Sequence, residues 1–223
     1  MKTVVANRVF PQVTVSASTV TVAASGLFVA LLALLHLLKP ELTPSWRMVS
    51  EYAIGRYGGM MAAAFLVLSA GCAALFAAVR REVRTAAGRI GLALLLISAA
   101  AIAAAAFFTT DPVTATKSEL TAHGNMHGLT SMIGIPSLTI ASVLINLSLL
   151  RNPAWRANRF ALAGSSAFVV ISLLSMVAAV ALTLPQHGGF GPGVYVGWPN
   201  RILMVAYCVW LFTVAWKAQQ LKR

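Results

Sequence analysis

Six stretches of this chain are apolar for about twenty residues each, and that length leaves the backbone few choices. About 20 residues of α-helix cross the hydrocarbon of a bilayer. In lipid every N–H and C=O must find its partner within the chain, which favours helices. The stretches run roughly over 20–38, 57–79, 90–108, 128–150, 160–184 and 199–216. They predict an all-α, polytopic transmembrane bundle of six spans, with both termini on the same side. Only 10% of the residues are charged, against about 25% in a soluble domain. No linker or break in composition interrupts residues 1–223, so the expectation is a single integral membrane domain. The first stretch is too long for the apolar region of a cleavable signal. Lys39-Pro40-Glu41 follows it where a small-x-small cleavage site would stand.

The connecting segments are of two chemical kinds. One set carries Lys2, Arg8, Arg80, Arg81, Arg84, Arg89, Arg151, Arg156, Arg159, Lys217, Lys222 and Arg223. The other carries Glu41, Glu51, Asp111, Glu119, His123, His127 and His187, with His36 just inside the first span. Of the seventeen basic and five acidic residues, the first side holds twelve and one, and the second five and four. Cationic loops stay in the cytoplasm during insertion, and anionic lipid favours them there. The arginine side is therefore read as cytoplasmic and the histidine side as the outer, functional face. The net charge of +12 is not a nucleic-acid signal, because no basic stripe is interleaved with exposed aromatics.

The outer connections, about 39–56, 109–127 and 185–198, are the long ones and hold most of the loop prolines. Long ordered loops are where function concentrates. Trp46, Tyr52, Tyr57, Tyr195 and Trp198 predict an outer aromatic belt, with Trp155 and Trp216 at the inner boundary. Gly124-x3-Gly128 has the spacing of a close helix contact, and the small-residue faces are compatible with a homodimer. Cys72 and Cys208 show no CxxC spacing and read as small core residues.

Six residues carry the candidate chemistry. His36 lies about 4–5 Å below the outer boundary at 1.5 Å per residue; it is a ligand, a proton carrier or a hydrogen-bonded neutral ring. His123 and His127 are four apart where the fourth helix begins, a spacing that suits one metal ion if both are helical. The competing reading is a capping or interfacial pair. Asp111, before Pro112, either ends the third helix or orients a histidine or metal. Glu51 either follows an N-cap at Ser50 and favours the start of the second helix, or serves as general base or counter-ion to Arg201. Arg201 either snorkels to lipid phosphate, pairs with Asp111 or Glu51, or holds an anionic head group. His187 sits in a glycine-rich loop and ranks last. No catalytic triad order, phosphate loop, nucleotide fingerprint or CxxCH motif is present. His36 and His127, on different helices, could hold a b-type haem between them.

At Pro40-Glu41, Ser50-Glu51-Tyr52-Ala53-x-Gly55 and Thr110-Asp111-Pro112, followed by His127, the chain resembles the uncharacterised bacterial membrane family catalogued as domain of unknown function 998. The resemblance implies a six-span protein of the bacterial inner membrane with no assigned activity. It adds weight to His36, Glu51, Asp111 and His127 as a set, while His123 fits less clearly. The set is also similar, more loosely, to the seven-span ceramidase-like hydrolases that hold zinc with histidines and an aspartate. The span count differs and the ligand order does not match, so this is analogy alone.

Three functions follow as expectations. The first is an outer-leaflet site for a metal ion or lipid head group, extending to a zinc hydrolase of amphiphiles. There His36, Asp111 and His127, with His123 as a further candidate, ligate Zn²⁺, Glu51 accepts the proton of the bound water, and Arg201 holds the substrate. The second is a non-catalytic membrane subunit or small-molecule carrier in which these residues form buried ion pairs; the expected partners are membrane lipid and a small amphiphilic ligand. The third is electron transfer through haem b.

Overall fold

The computed structural model describes residues 15–221. Among them, six helices are long and apolar enough to cross a membrane, and the predicted all-α bundle is what forms. These are α1 (Ala17–Leu38), α2 (Gly58–Val79), α3 (Ala86–Phe107), α4 (Ala122–Arg151), α5 (Arg159–His187) and α6 (Gly197–Gln220). Short 3₁₀ turns occupy Val49–Ala53 and Pro153–Asn158. The basic residues Lys2, Arg8, Lys222 and Arg223 lie outside the described residues.

Three helices start where a hydroxyl can cap them. The side chains of Ser16, Thr85 and Thr121 accept from the backbone N–H groups of Thr19, Gly88 and Gly124, satisfying donors that have no intrahelical partner. The Thr121 cap starts α4 at Ala122, six residues before the apolar run begins, so both His123 and His127 are helical. The second helix does not begin after Ser50. Residues 49–53 form the 3₁₀ turn, and α2 starts at Gly58 after Tyr57 in a left-handed conformation (φ 65°).

Helices consecutive in the chain pack side by side, and α6 returns against α1 and α2. Apolar burial does little to join helices in lipid, whose tails are as apolar as leucine, so close backbone approach and hydrogen bonds carry more of the task. The tightest pair is α3 and α4. A Cβ at Gly88 would overlap Ser148, one at Gly91 would press on Leu144 and Ile145, and Ser98 Oγ donates to the Gly134 carbonyl at 2.8 Å. These glycines bring α3 and α4 together. Gly128 has open space around it, and Gly124 faces Asp111 rather than another helix. At the arginine end, Asn146 on α4 accepts from Trp210 of α6 at 3.2 Å and donates to the Leu162 carbonyl of α5 at 2.7 Å.

Helix α5 is buried only in its first half, although Leu173 and Met176 beyond it still pack part-exposed against the core. Its buried residues are Leu162, Ser165, Ser166, Val169 and Ser172. From Leu173 to His187 none is buried. Two members of the expected aromatic belts are core residues instead. Tyr52 and Trp155 are fully buried, while Tyr195, Trp198 and Trp216 remain exposed. Cys72 and Cys208 are buried free thiols.

Candidate functional site

The long-loop end of the bundle contains two distinct polar assemblies with an apolar cavity beneath them. The first is built around Arg201, on the second turn of α6 and only 4% exposed. Its Nε–H donates to His36 Nε2 at 2.7 Å. Nη1 donates to the carbonyls of Pro44 (3.2 Å), Arg47 (2.5 Å) and Gly197 (3.0 Å), and Nη2 to the Tyr52 hydroxyl at 3.1 Å. Gly197 makes this possible. A Cβ there would overlap the Pro44 carbonyl and crowd Trp46 and Arg47, so only glycine lets the 44–47 segment cross the start of α6. His36 is consumed at both nitrogens, because Nδ1 donates to the Leu32 carbonyl at 2.7 Å. That carbonyl can only accept, which fixes Nε2 as the bare nitrogen facing arginine.

Glu51 belongs to the same loop but not to Arg201. It is 1% exposed, and its Oε1 accepts from Arg47 Nη1 at 2.7 Å and the Val113 N–H at 3.1 Å. Oε2 accepts from the Met48 N–H at 2.9 Å. One carboxylate thus binds the α1–α2 loop to the α3–α4 loop. Lys39 is also buried, donating to the carbonyl of Ile54 at 2.5 Å. Among the described residues, the Arg47–Glu51 pair is the one ion pair.

The second assembly closes the α3–α4 loop. Asp111 Oδ2 accepts from the Thr121 N–H at 2.8 Å and Oδ1 from the Thr121 hydroxyl at 2.9 Å. A Cβ on Gly124 would overlap that carboxylate. Glu119 is internal to the loop: the N–H and hydroxyl of Thr116 both donate to it at 2.8 Å, and these bonds hold its carboxyl below the usual range.

The sequence reading expected His36, Asp111, His123 and His127 to share a metal. The structure brings His36 and Arg201 together and leaves the rest apart. Among the described residues no three His, Cys, Asp or Glu side chains lie close enough to hold an ion. The reason is how each donor atom is used. His36 is spent on Leu32 and Arg201, and Asp111 on Thr121. His123 is exposed with its ring edge-on to Phe108 at 5.7 Å. Although four residues apart on one helix, His127 is buried and His123 is not. The same use of both His36 nitrogens leaves none to bind a haem iron opposite His127. Glu51, proposed as a base, has both oxygens occupied by protein donors, and Arg201 is turned to carbonyls rather than outward. His187 is exposed, its Nδ1 donating to its own helix at Thr183.

His127 differs from the others. It is 4% exposed, its Nδ1 donates to the Phe108 carbonyl at 2.8 Å, and its ring lies 6.0 Å from that of Phe65. It lines a cavity of about 370 Å³, within the range of sites for small organic ligands, about 300–1,000 Å³. Ala105 and Phe65 wall the cavity from α3 and α2, Met176 and Val180 from α5, and Asn200 and Tyr207 from α6. All lie in the long-loop half of the bundle, and the 3₁₀ turn at Val49 and Ser50 roofs it. Met132 of α4 also lines it and is 77% exposed, so on α4 the cavity wall is also part of the bundle surface, and Met176 and Val180 bring the more exposed half of α5 to the same cavity.

The sequence alone gave no sign of this cavity. One signal was available for its shape. Pro136, in mid-helix on α4, lacks the N–H that would reach the Met132 carbonyl, and both residues line the cavity. The family model described as "Protein of unknown function (DUF998)" matches residues 22–217. No curated protein and no solved structure matches the chain.

Proposed function

Because the chain belongs to the DUF998 family, whose description supplies no activity, we propose a function from its cavity: a membrane protein that takes a small amphiphile from the bilayer. Entry is lateral, between α4 and the second half of α5. The observation that carries this reading is the 370 Å³ space reaching a lipid-facing residue. Its walls are mostly apolar, with His127 among their few polar groups. A lipid-soluble ligand would enter without crossing water or unfolding a loop. The long-loop face is the outer one in this account, since the charge asymmetry of the sequence assigns the arginine loops to the cytoplasm. The tied loops of Arg201 and Glu51 then serve as a fixed roof.

The binding reading is favoured over a zinc hydrolase because the latter needs His36, Asp111 and His127 to converge, and among the described residues no three such side chains do: His36 is held by Leu32 and Arg201, and Asp111 by Thr121. Protein extracted in mild detergent is expected to carry a bound amphiphile, detected as an added mass by native mass spectrometry. Val180→Trp fills the cavity from α5 and is expected to lose it. No added mass on either protein, or the same added mass on both, would contradict the proposal.

A further inference from the structure

The polar inventory of the cavity narrows the ligand's chemistry. Among the described residues, no Asp, Glu, Lys or Arg lines it. The polar lining is Ser50, His127, Thr130, Ser131, Asn200 and Tyr207, and most of their capacity is already used. The Tyr207 hydroxyl donates to the Ile135 carbonyl at 2.8 Å and meets the Thr139 hydroxyl at 2.8 Å. Asn200 Oδ1 accepts from the Val49 N–H at 2.9 Å, and Nδ2 has Met176 Sδ at 3.6 Å. Thr130 donates to the His127 carbonyl at 2.8 Å.

Three groups are left: the Ser50 hydroxyl in the roof, and two neighbours on α4. With Nδ1–H committed to the Phe108 carbonyl, a neutral His127 presents a bare Nε2, an acceptor. That atom has no hydrogen bond to a described residue, and it is not among the sealed polar atoms that lack one. Ser131 stands four residues on along α4, hence on the same face. It lines the same cavity, and its hydroxyl bonds to none of the described residues. An acceptor beside a hydroxyl, with no charge nearby, suits a ligand group that both donates and accepts and is itself neutral. A carboxylate or phosphate would be buried without a cation, which is costly. An ether would leave the imidazole nitrogen unpaired.

Building on the amphiphile reading, we infer that the ligand is an uncharged amphiphilic alcohol. Its hydroxyl donates to His127 Nε2 and accepts from Ser131, and its chain runs out past Met132 between α4 and α5.

The test uses the full chain in nanodiscs of zwitterionic phospholipid, with 1-hexadecanol, its methyl ether and hexadecanoate as competing probes. Wild type is expected to hold the alcohol about tenfold more tightly than the ether, the worth of one hydrogen bond, and the carboxylate most weakly. His127→Phe is expected to remove the preference for alcohol over ether, and Ser131→Ala to reduce it. The wild-type comparison needs no variant, so a misfolded His127→Phe does not affect it. Equal binding of alcohol and ether by wild type would overturn the hydroxyl assignment while leaving an apolar ligand in the cavity. Tightest binding of the carboxylate would overturn neutrality. Failure of all three probes to bind would overturn both this inference and the amphiphile reading.

Discussion

Arg201→Ala is expected to lose about 3 kcal/mol or more of stability, read as a large fall in the temperature at which the detergent-solubilised protein aggregates. Arg201 is 4% exposed and makes four hydrogen bonds beyond its own helix, to His36, Pro44, Arg47 and Tyr52. Removing it leaves at least two carbonyls and an imidazole nitrogen without these donors, and each buried group so abandoned costs about 1–3 kcal/mol. Arg201→Lys should recover only part of the loss. An ammonium offers three donors from one point, and it cannot span acceptors spread across α1, the 44–47 segment and Tyr52 as a planar fork does. An arginine that held an anionic substrate would behave differently. Its alanine variant would keep its stability and lose only the ligand.

Glu51→Ala is expected to destabilise by about 2–4 kcal/mol, mainly because the Met48 and Val113 N–H groups lose their acceptor, while Arg47 is 23% exposed and keeps some hydration. The carboxylate serves Arg47, Met48 and Val113 at once. Arg47 Nε is already buried without a partner, so losing Glu51 removes the one anion paired with that side chain among the described residues. Glu51→Gln should recover little. Every neighbour of the carboxylate is a donor, and the amide would set its own N–H₂ against one of them. A thermal series comparing wild type, Glu51→Gln and Glu51→Ala checks this. A Glu51→Gln protein as stable as wild type would instead fit a general base waiting for substrate.

Both variants bear on why the fold was legible and the site was not. Span number, order and approximate bounds follow from length and hydropathy, because a helix in lipid has no competing structure. The errors sit where polar groups decide a boundary: Thr121 extends α4 past its apolar run, and Tyr57 rather than Ser50 precedes α2. The clustering of His36, Glu51, Asp111 and Arg201 near one end was also readable. What they bind was not, since their partners are largely backbone groups of Leu32, Pro44, Arg47, Met48 and Val113. Every residue has such groups, so composition does not distinguish them. The cavity was hidden for another reason. In a transmembrane helix a side chain facing lipid and one facing the protein are equally apolar. The change along α5 from a packed half to an unpacked one therefore left no periodic trace. His127 is the buried one of the two α4 histidines, as its depth in the span suggests, and its neighbours are Phe65 and Phe108, with Ser131 one turn on, rather than His36 and Asp111.

On the proposed function, the binding place of this protein is the lateral cavity beside His127, and the charged residues above it are its fixed roof. Photolabelling in nanodiscs with a long-chain alcohol carrying a diazirine, followed by peptide mapping, addresses it directly. The label is predicted on Met132, Met176 and Val180, and excess 1-hexadecanol is predicted to suppress it there while leaving adducts on Ile171 and Leu174 of the outer surface of α5 unchanged. Adducts spread over the lipid-facing helices with none of those three protected, or a protected adduct at Arg201 and Glu51 instead, would contradict it.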